Sequence, residues 1–429
     1  MNIDAHSKRR QRLMAEVGDD AVVAIAAAPV QLRNGDTPYP YRQDSDFLYL
    51  TGLDEPEAVL VLTPGADIQQ TLFLRPTDPE KERWDGARLG VEGARAALGM
   101  DQVLPIDALD DTLVKLMSNR QSLYYLMGQH QSFEQHLNEL RSEMQQAAGL
   151  TGPTTVVSLQ PLLHEQRLIK SNDEIKTLKR AAAISAEAMQ KAMARAPHAT
   201  REAELAATLV HTFTEHGAVA AYQPIVASGE RALVLHSVAN SQPLDPTGLV
   251  LIDAGCEVEG YAADISRTFP ANGRFTEAQR AVYAVVLEAQ RQAIDEVQVG
   301  ASYHAFHETA VRVLTEGLID LGLLSGGLEH NLEHGHYKRF YMHKTGHWLG
   351  LDVHDVGDYR IDDQWRVLEA NMVLTVEPGL YIDTDDDVPE AFRGIGVRIE
   401  DDVRVTRQGP EVLTQAVPKA IDEIEAWMA

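Results

Sequence analysis

The sequence predicts an α+β protein: a mixed α/β domain over residues 1–165, then a larger domain over 166–429. Three observations carry this. The first part of the chain mixes short strand-like apolar runs with a helical segment. The stretch around 148–165, AGLTGPTTVVSLQPLLHE, is rich in Gly, Thr and Pro and reads as a linker. Beyond it the order helix, helix, strands occurs twice, a weak internal repeat suggesting a duplicated unit closing around a sheet. A chain of 429 residues is also too long for one ordinary domain.

In the first domain AVVAIAAA (21–28), FLYLTGL (47–53), AVLVLTP (58–64) and TLFLR (71–75) read as short strands of one sheet. FEQHLNELRSEMQQA (133–147) has helical spacing of apolar residues. The second domain opens on a capping box, Ser171 capping and Glu174 reaching back, with an Ala-rich helix to about Arg195. Thr200 starts another helix, closed by Gly217. A hairpin follows over 249–269. Thr276 with Gln279 makes a second capping box and opens a helix to about Val297. A further helix is expected from Ser302 to about Leu324, then strands over 371–382 and 394–406.

Composition narrows the function. The formal net charge of −26 argues against a nucleic-acid or anionic-membrane surface. No run approaches the ~18–20 apolar residues of a membrane span. The polar start, MNIDAHSKRRQR, has no apolar core for a signal peptide. The single cysteine, Cys256, excludes an internal disulfide, suits a reducing cytoplasm, and reads as a small buried hydrophobe rather than a nucleophile.

The chemistry starts in the hairpin, LVLIDAGCEVEGYAADISRTF. An apolar run ends in Asp253, and a second carries Asp264. Burying a carboxylate costs several kcal/mol unless it is paired or metal-bound. With a turn at Val258-Glu259 the two aspartates stand directly opposite; with a turn at Glu259-Gly260 they are diagonal, still on one face. A three-residue turn without a bulge separates them. Two readings stay open: a cation between the pair, or two unrelated strand-end aspartates.

The second half repeats the pattern. Glu377 ends the run LTVEPGL and Glu400 ends GVRIEDD, with His347 between these strands and the hairpin. Asp253, Asp264, His347, Glu377 and Glu400 form an oxygen-rich candidate set that suits Mn²⁺, Co²⁺ or Fe²⁺ better than a structural zinc. Four negative charges are too many for one divalent ion and match two.

LIDAG, Asp264 eleven residues after Asp253, the segment HKTGHWLGLDVH, VEPGLY and RIED together resemble the pita-bread metallopeptidases. Within them the sequence is similar to the aminopeptidase P, or Xaa-Pro aminopeptidase, family of bacterial type. YPYRQDSDFLYLTGLDEP (39–56) resembles the N-terminal domain of that family. The resemblance implies a curved antiparallel sheet in the second domain and two divalent ions per subunit, Mn²⁺ first, with Co²⁺, Fe²⁺ or Zn²⁺ also accommodated. It places Asp253 on one ion, His347 and Glu377 on the other, and Asp264 and Glu400 across both. A metal-bridging hydroxide would cleave the bond between an N-terminal residue and a following proline, with Glu377 shuttling the proton. His236 and His354 would bind substrate and intermediate, and His343 the pocket wall. Arg398 would hold the bridging Glu400. Trp348, Tyr381 or Tyr222 is expected to give the flat wall that proline needs, and Tyr381 could also donate a hydrogen bond from behind. The resemblance adds Trp84, carried from a neighbouring subunit, and hence a homo-oligomer, a tetramer or dimer.

Blander readings apply elsewhere. His330, His334 and His336 sit in a polar, loop-like stretch and read as solvent-facing. His304 and His307 lack carboxylate partners, and the acidic run 383–387 reads as a solvated loop. Lys344 stands where many relatives have glycine, and Ala227 replaces a frequent glycine; neither removes a ligand. Prolidase, with the same ligands, is the nearest alternative. Methionine aminopeptidase is disfavoured by the long N-terminal domain. A creatinase-like hydrolase or a non-catalytic relative is disfavoured by the intact ligand set.

Overall fold

The computed structural model describes residues 3–147, 149 and 151–429. The chain forms two compact units, Met1–Arg167 and Leu168–Ala429.

The first unit is built on a mixed six-stranded sheet. Its order is Gln102–Pro105, Gln70–Leu74, Ala58–Leu62, Ala21–Ala26, Ser122–Tyr125 and Thr155–Ser158. The second, third and fourth of these pair antiparallel, and the outer pairings are parallel. Val22, Val59 and Phe73 from the sheet pack with Leu113 and Met117 of the helix Leu109–Met117 and with Leu137 and Met144 of Gln131–Gln146. Two expectations are corrected. Residues 47–53 are not a strand: Ser45–Thr51 is a helix, capped by the Asp44 carboxylate on the Phe47 N–H at 2.9 Å and stopped by Gly52 at φ 69°. The helix is buried on almost every side, so its apolar run has no period to read. The 148–165 stretch is not a linker either. It supplies the edge strand Thr155–Ser158 and the start of the helix Gln160–Leu168; residues 148 and 150 lie outside the described residues.

In the second unit both capping boxes form as read, opening Asn172–Arg195 and Glu277–Asp295. The partner helices are Glu202–Glu215 and Ala305–Asp320. Alanines of the first helix, Ala181, Ala182, Ala188 and Ala192, let it lie close on the sheet with Ile252, Ile265 and Phe269. Cys256 is buried there, its N–H donating to Ser185 Oγ at 2.9 Å. The stretch holding His330 and His334 is a short helix, Leu328–His334, rather than a loop, because Gly335 at φ 65° caps it. The acidic run 383–387 is tied down by Arg339, which donates to Asp383, Asp385 and Asp387.

All strand pairs of this unit are antiparallel, and the long strands expected from the sequence are broken at their carboxylates. The run 371–382 becomes Val373–Val376 and Gly379–Tyr381, parted at Glu377. The run 394–406 becomes Gly396–Arg398 and Asp401–Thr406, parted at Glu400. The hairpin becomes Leu249–Asp253 and Cys256–Val258, returning as Tyr261–Ala262 and Ser266–Pro270. The two halves meet where the Glu400 N–H donates to Ser266 O at 3.0 Å and Thr268 Oγ1 donates to Arg398 O at 3.0 Å.

Candidate metal centre

The hairpin turns at Glu259-Gly260, at φ 51° and 84°, the two left-handed residues of a tight two-residue turn. Val258 therefore pairs with Tyr261 and Asp253 with Ser266. Asp253 and Asp264 are diagonal, not directly opposed, and share a face. Gly255 is required here: a Cβ on it would lie 1.7 Å from Ala263 O.

His347 comes from a segment pressed onto the strand Val373–Val376. The Thr375 N–H donates to His347 O at 2.9 Å and the Glu377 N–H to Thr345 O at 2.7 Å. A Cβ on Gly346 would sit 2.0 Å from Thr375 O, so only glycine permits this approach. The His347 Nδ1–H donates to Trp348 O at 2.9 Å, which leaves Nε2 free as a ligand atom. That atom lies 3.5 Å from Asp264 Oδ2 and 3.6 Å from Glu377 Oε1. Ligand atoms of Asp264, His347 and Glu400 all fall within 4.8 Å of one another.

These groups line one cavity of about 390 Å³, together with Asp253, Glu377, Arg398 and the three histidines His236, His343 and His354. The His354 ring centroid is 4.2 Å from that of His347. His343 donates from Nδ1 to Lys344 O at 2.8 Å and accepts at Nε2 from the Tyr381 hydroxyl at 3.0 Å.

The electrostatics are those of an excess of buried anions. Burial and the Asp253 charge raise Asp264 above the ordinary carboxylate range. Burial raises Glu400 further, with the charges of Asp264, Glu377 and Asp253 adding. Glu377 is raised to about 7 by burial, against the pull of His347 and Arg398. Burial opposes a charge on His347, but the hydrogen bond to Asp264 and the charge of Glu377 outweigh it and raise the imidazole to about 9. Burial lowers His343 to about 4, so it stays neutral. Four carboxylates thus face one guanidinium and one imidazole, and hard divalent cations fit this donor set and its surplus charge.

Several placements differ from expectation. Arg398 holds Asp253, not Glu400: Nη2 donates to Asp253 Oδ2 at 2.6 Å, Nη1 to the Tyr381 hydroxyl at 3.0 Å and Nε to Ser266 Oγ at 2.9 Å. Ser266 then donates to Glu400 Oε2 at 2.7 Å. The long guanidinium stem crosses to the facing hairpin, so the arginine reaches Glu400 only through the serine. Tyr222 is no apolar wall; its hydroxyl bonds Asp253 Oδ1 at 2.6 Å and also Asp264. Tyr381 stands behind His343 and Arg398. Trp348 is buried in the core beside Tyr303 and Leu374, because it follows His347 and points the opposite way. Trp84 belongs to the first unit and is 86% exposed.

Sequence reasoning missed Tyr359 and Leu235, the aromatic and aliphatic surfaces of the cavity. It also missed Ser266, which the two-residue alternation from Asp264 would have put on the same face, and Asp402, whose carboxylate accepts the Asp264 N–H at 3.2 Å. Tyr359 lies in an irregular segment with no periodic signal.

Comparison with known proteins agrees with this geometry. The model of metallopeptidase family M24 matches residues 176–407, and that of the aminopeptidase P N-terminal domain matches residues 6–125. The Xaa-Pro aminopeptidase of Escherichia coli is 42% identical over 98% of this chain and 96% of its own. The human Xaa-Pro aminopeptidase 3 is 35% identical over 98% of this chain and 85% of its own. Among solved structures, an aminopeptidase of Pseudomonas aeruginosa is 47% identical with a TM-score of 0.97, covering 100% of this chain and 98% of that one. Aminopeptidase P of Escherichia coli with the inhibitor Pro-Leu superposes with the same score at 41% identity, again over 100% and 98%. The chain belongs to metallopeptidase family M24, with an aminopeptidase P N-terminal domain ahead of its M24 domain.

Proposed function

We propose that the chain is a metal-dependent aminopeptidase that hydrolyses the bond between an N-terminal residue and a following proline in Xaa-Pro-Yaa peptides. The observation that carries this is the convergence of four carboxylates and the His347 Nε2 in one cavity. The similar proteins named above, which are aminopeptidases, support it.

The four carboxylate charges match two divalent ions, Mn²⁺ first, with Co²⁺, Fe²⁺ and Zn²⁺ also compatible with the donors. Asp253 would hold one ion, His347 and Glu377 the other, and Asp264 and Glu400 both. Bound there, such ions supply Lewis acidity and an activated water. The chain's own groups do the rest. Trp348 O fixes the tautomer that presents His347 Nε2. Arg398 fixes Asp253, and through Ser266 orients Glu400. Glu377 takes a proton and delivers it to the proline nitrogen, which has no N–H of its own and must gain one to leave. His236 and His354 hold the substrate, and His343, kept neutral and bound to Tyr381, forms a wall. Within the chain Tyr359 and Leu235 give proline an apolar surface. Trp84 of a neighbouring subunit would complete it, which implies a homo-oligomer, a tetramer or dimer. The buried lone cysteine suits a cytoplasmic location, and the acidic surface suits peptides rather than nucleic acid as partners.

Turnover of Ala-Pro-Ala, Ala-Pro and Ala-Ala-Ala before and after chelation tests the reading. Release of alanine from Ala-Pro-Ala, lost on chelation and restored by Mn²⁺, is expected. Cleavage of Ala-Pro alone would favour the prolidase alternative, and cleavage that survives chelation would overturn the metal assignment.

A further inference from the structure

The cavity wall carries a cation that the metal centre does not use. Lys344 lines the cavity and is exposed, and among the described residues its ammonium forms no ion pair. Its Nζ lies 5.5 Å from the centroid of the Tyr359 ring, within reach of a cation–π attraction. Tyr359 is itself fixed. It stacks on the buried Trp348 with ring centroids 5.5 Å apart and planes 4° from parallel, and its hydroxyl accepts the Trp348 N–H at 3.2 Å. The ammonium is thus held loosely over a rigid aromatic face in the cavity.

The neighbouring charges define its role. Arg398 is paired with Asp253. His307, beside Lys344, is kept neutral by burial. Once cations neutralise the four carboxylates, Lys344 is the unpaired positive group of the wall. A peptide carries an ammonium at one end and carboxylate charge towards the other. Lys344 repels that ammonium and attracts the carboxylate, so the peptide is oriented with its carboxylate towards the lysine. The third residue of an extended peptide lies on the order of 7 Å beyond the first, a span suited to a small cavity.

We propose that Lys344 is a specificity-determining residue that binds a carboxylate on the third residue of the substrate. Short peptides with a free C-terminus at that position, or with an acidic side chain there, are preferred. This rests on the Xaa-Pro aminopeptidase reading above.

The test compares kcat/KM of the Mn²⁺-loaded full chain for Ala-Pro-Ala against Ala-Pro-Ala-amide, and for Ala-Pro-Glu-amide against Ala-Pro-Gln-amide. The first pair reports a terminal carboxylate and the second an acidic side chain. A preference of about three- to tenfold, carried by KM and shrinking with added salt, is expected in at least one pair. Lys344→Met brings that ratio to about one, and Lys344→Glu inverts it. No preference in either pair, or one unchanged in Lys344→Met, overturns the proposal. Calorimetric binding of Pro-Ala and Pro-Ala-amide to the same variants gives a readout without turnover. If no peptide is cleaved, the aminopeptidase reading fails, and the Lys344-dependence of binding alone decides the proposal.

Discussion

Replacing Glu377 by glutamine should stabilise the metal-free protein, although it removes a candidate ligand. Burial is the main reason the Glu377 carboxyl moves from its ordinary 4.5 to about 7, and the charges of Asp264 and Asp253 add to it. The folded chain therefore binds more protons than the unfolded chain between about pH 4.5 and pH 7. Stability must fall as pH rises through that window, and the loss is complete above about 7. At about 1.4 kcal/mol per pH unit of displacement, the loss is on the order of 3 kcal/mol. Glutamine keeps the shape and carries no charge. Glu377→Gln stripped with chelator should thus exceed stripped wild type by about 3 kcal/mol at pH 8, and by nothing at pH 4.5. Denaturant unfolding of both proteins at the two pH values measures this. Added Mn²⁺ should close the gap at ~100 Kd, where binding adds about 2.7 kcal/mol to wild type, and reverse the order near ~1,000 Kd, where it adds about 4.1, because a cation offsets the repulsion only where its ligands are intact. A stripped variant at pH 8 no more stable than stripped wild type would refute the idea that surplus buried charge dominates this cavity.

Other consequences are equally direct. Arg398→Met leaves Asp253 without its guanidinium partner and Tyr381 and Ser266 without a donor, so Mn²⁺ affinity should fall about 10–100-fold in a metal titration; unchanged affinity would contradict the positioning role. Gly255→Ala forces a Cβ to 1.7 Å from Ala263 O, so unfolding should show a loss of several kcal/mol, on the order of 3 or more. Burial disfavours the Asp401 charge, yet Arg267 and Lys419 outweigh it and hold its carboxyl below the ordinary range. That contribution is present above the unfolded carboxylate pKa and lost as pH falls through the folded value. Asp401→Asn should therefore cost about 3–5 kcal/mol at pH 7, with the deficit vanishing in strong acid.

What the sequence revealed follows from where charge meets apolar pattern. Asp253, Asp264, Glu377 and Glu400 stand out because each interrupts an apolar run, and Ser171 and Thr276 announce their helices by local hydrogen bonding. The residues left three hairpin turns open, and the one that forms is Glu259-Gly260, whose residues both take left-handed backbone. Long-range reach was not legible. The partner of Arg398 is set by a stem crossing from one repeat to the other, and Tyr359 is brought in by an irregular segment. Trp348 was misplaced although alternation from His347 points it into the core. The helix Ser45–Thr51 was hidden because burial on nearly all sides erases periodicity, leaving only Asp44 and Gly52 as signals.

The central claim is that Asp253, Asp264, His347, Glu377 and Glu400 together hold the ions on which peptide cleavage depends. Titrating Mn²⁺ into stripped protein while following both bound metal and Ala-Pro-Ala turnover tests it most directly. The account requires turnover to rise from zero to a plateau at two ions per chain, and Glu400→Gln to bind fewer ions and stay inactive. Turnover in the stripped protein, or full activity in Glu400→Gln, would contradict it.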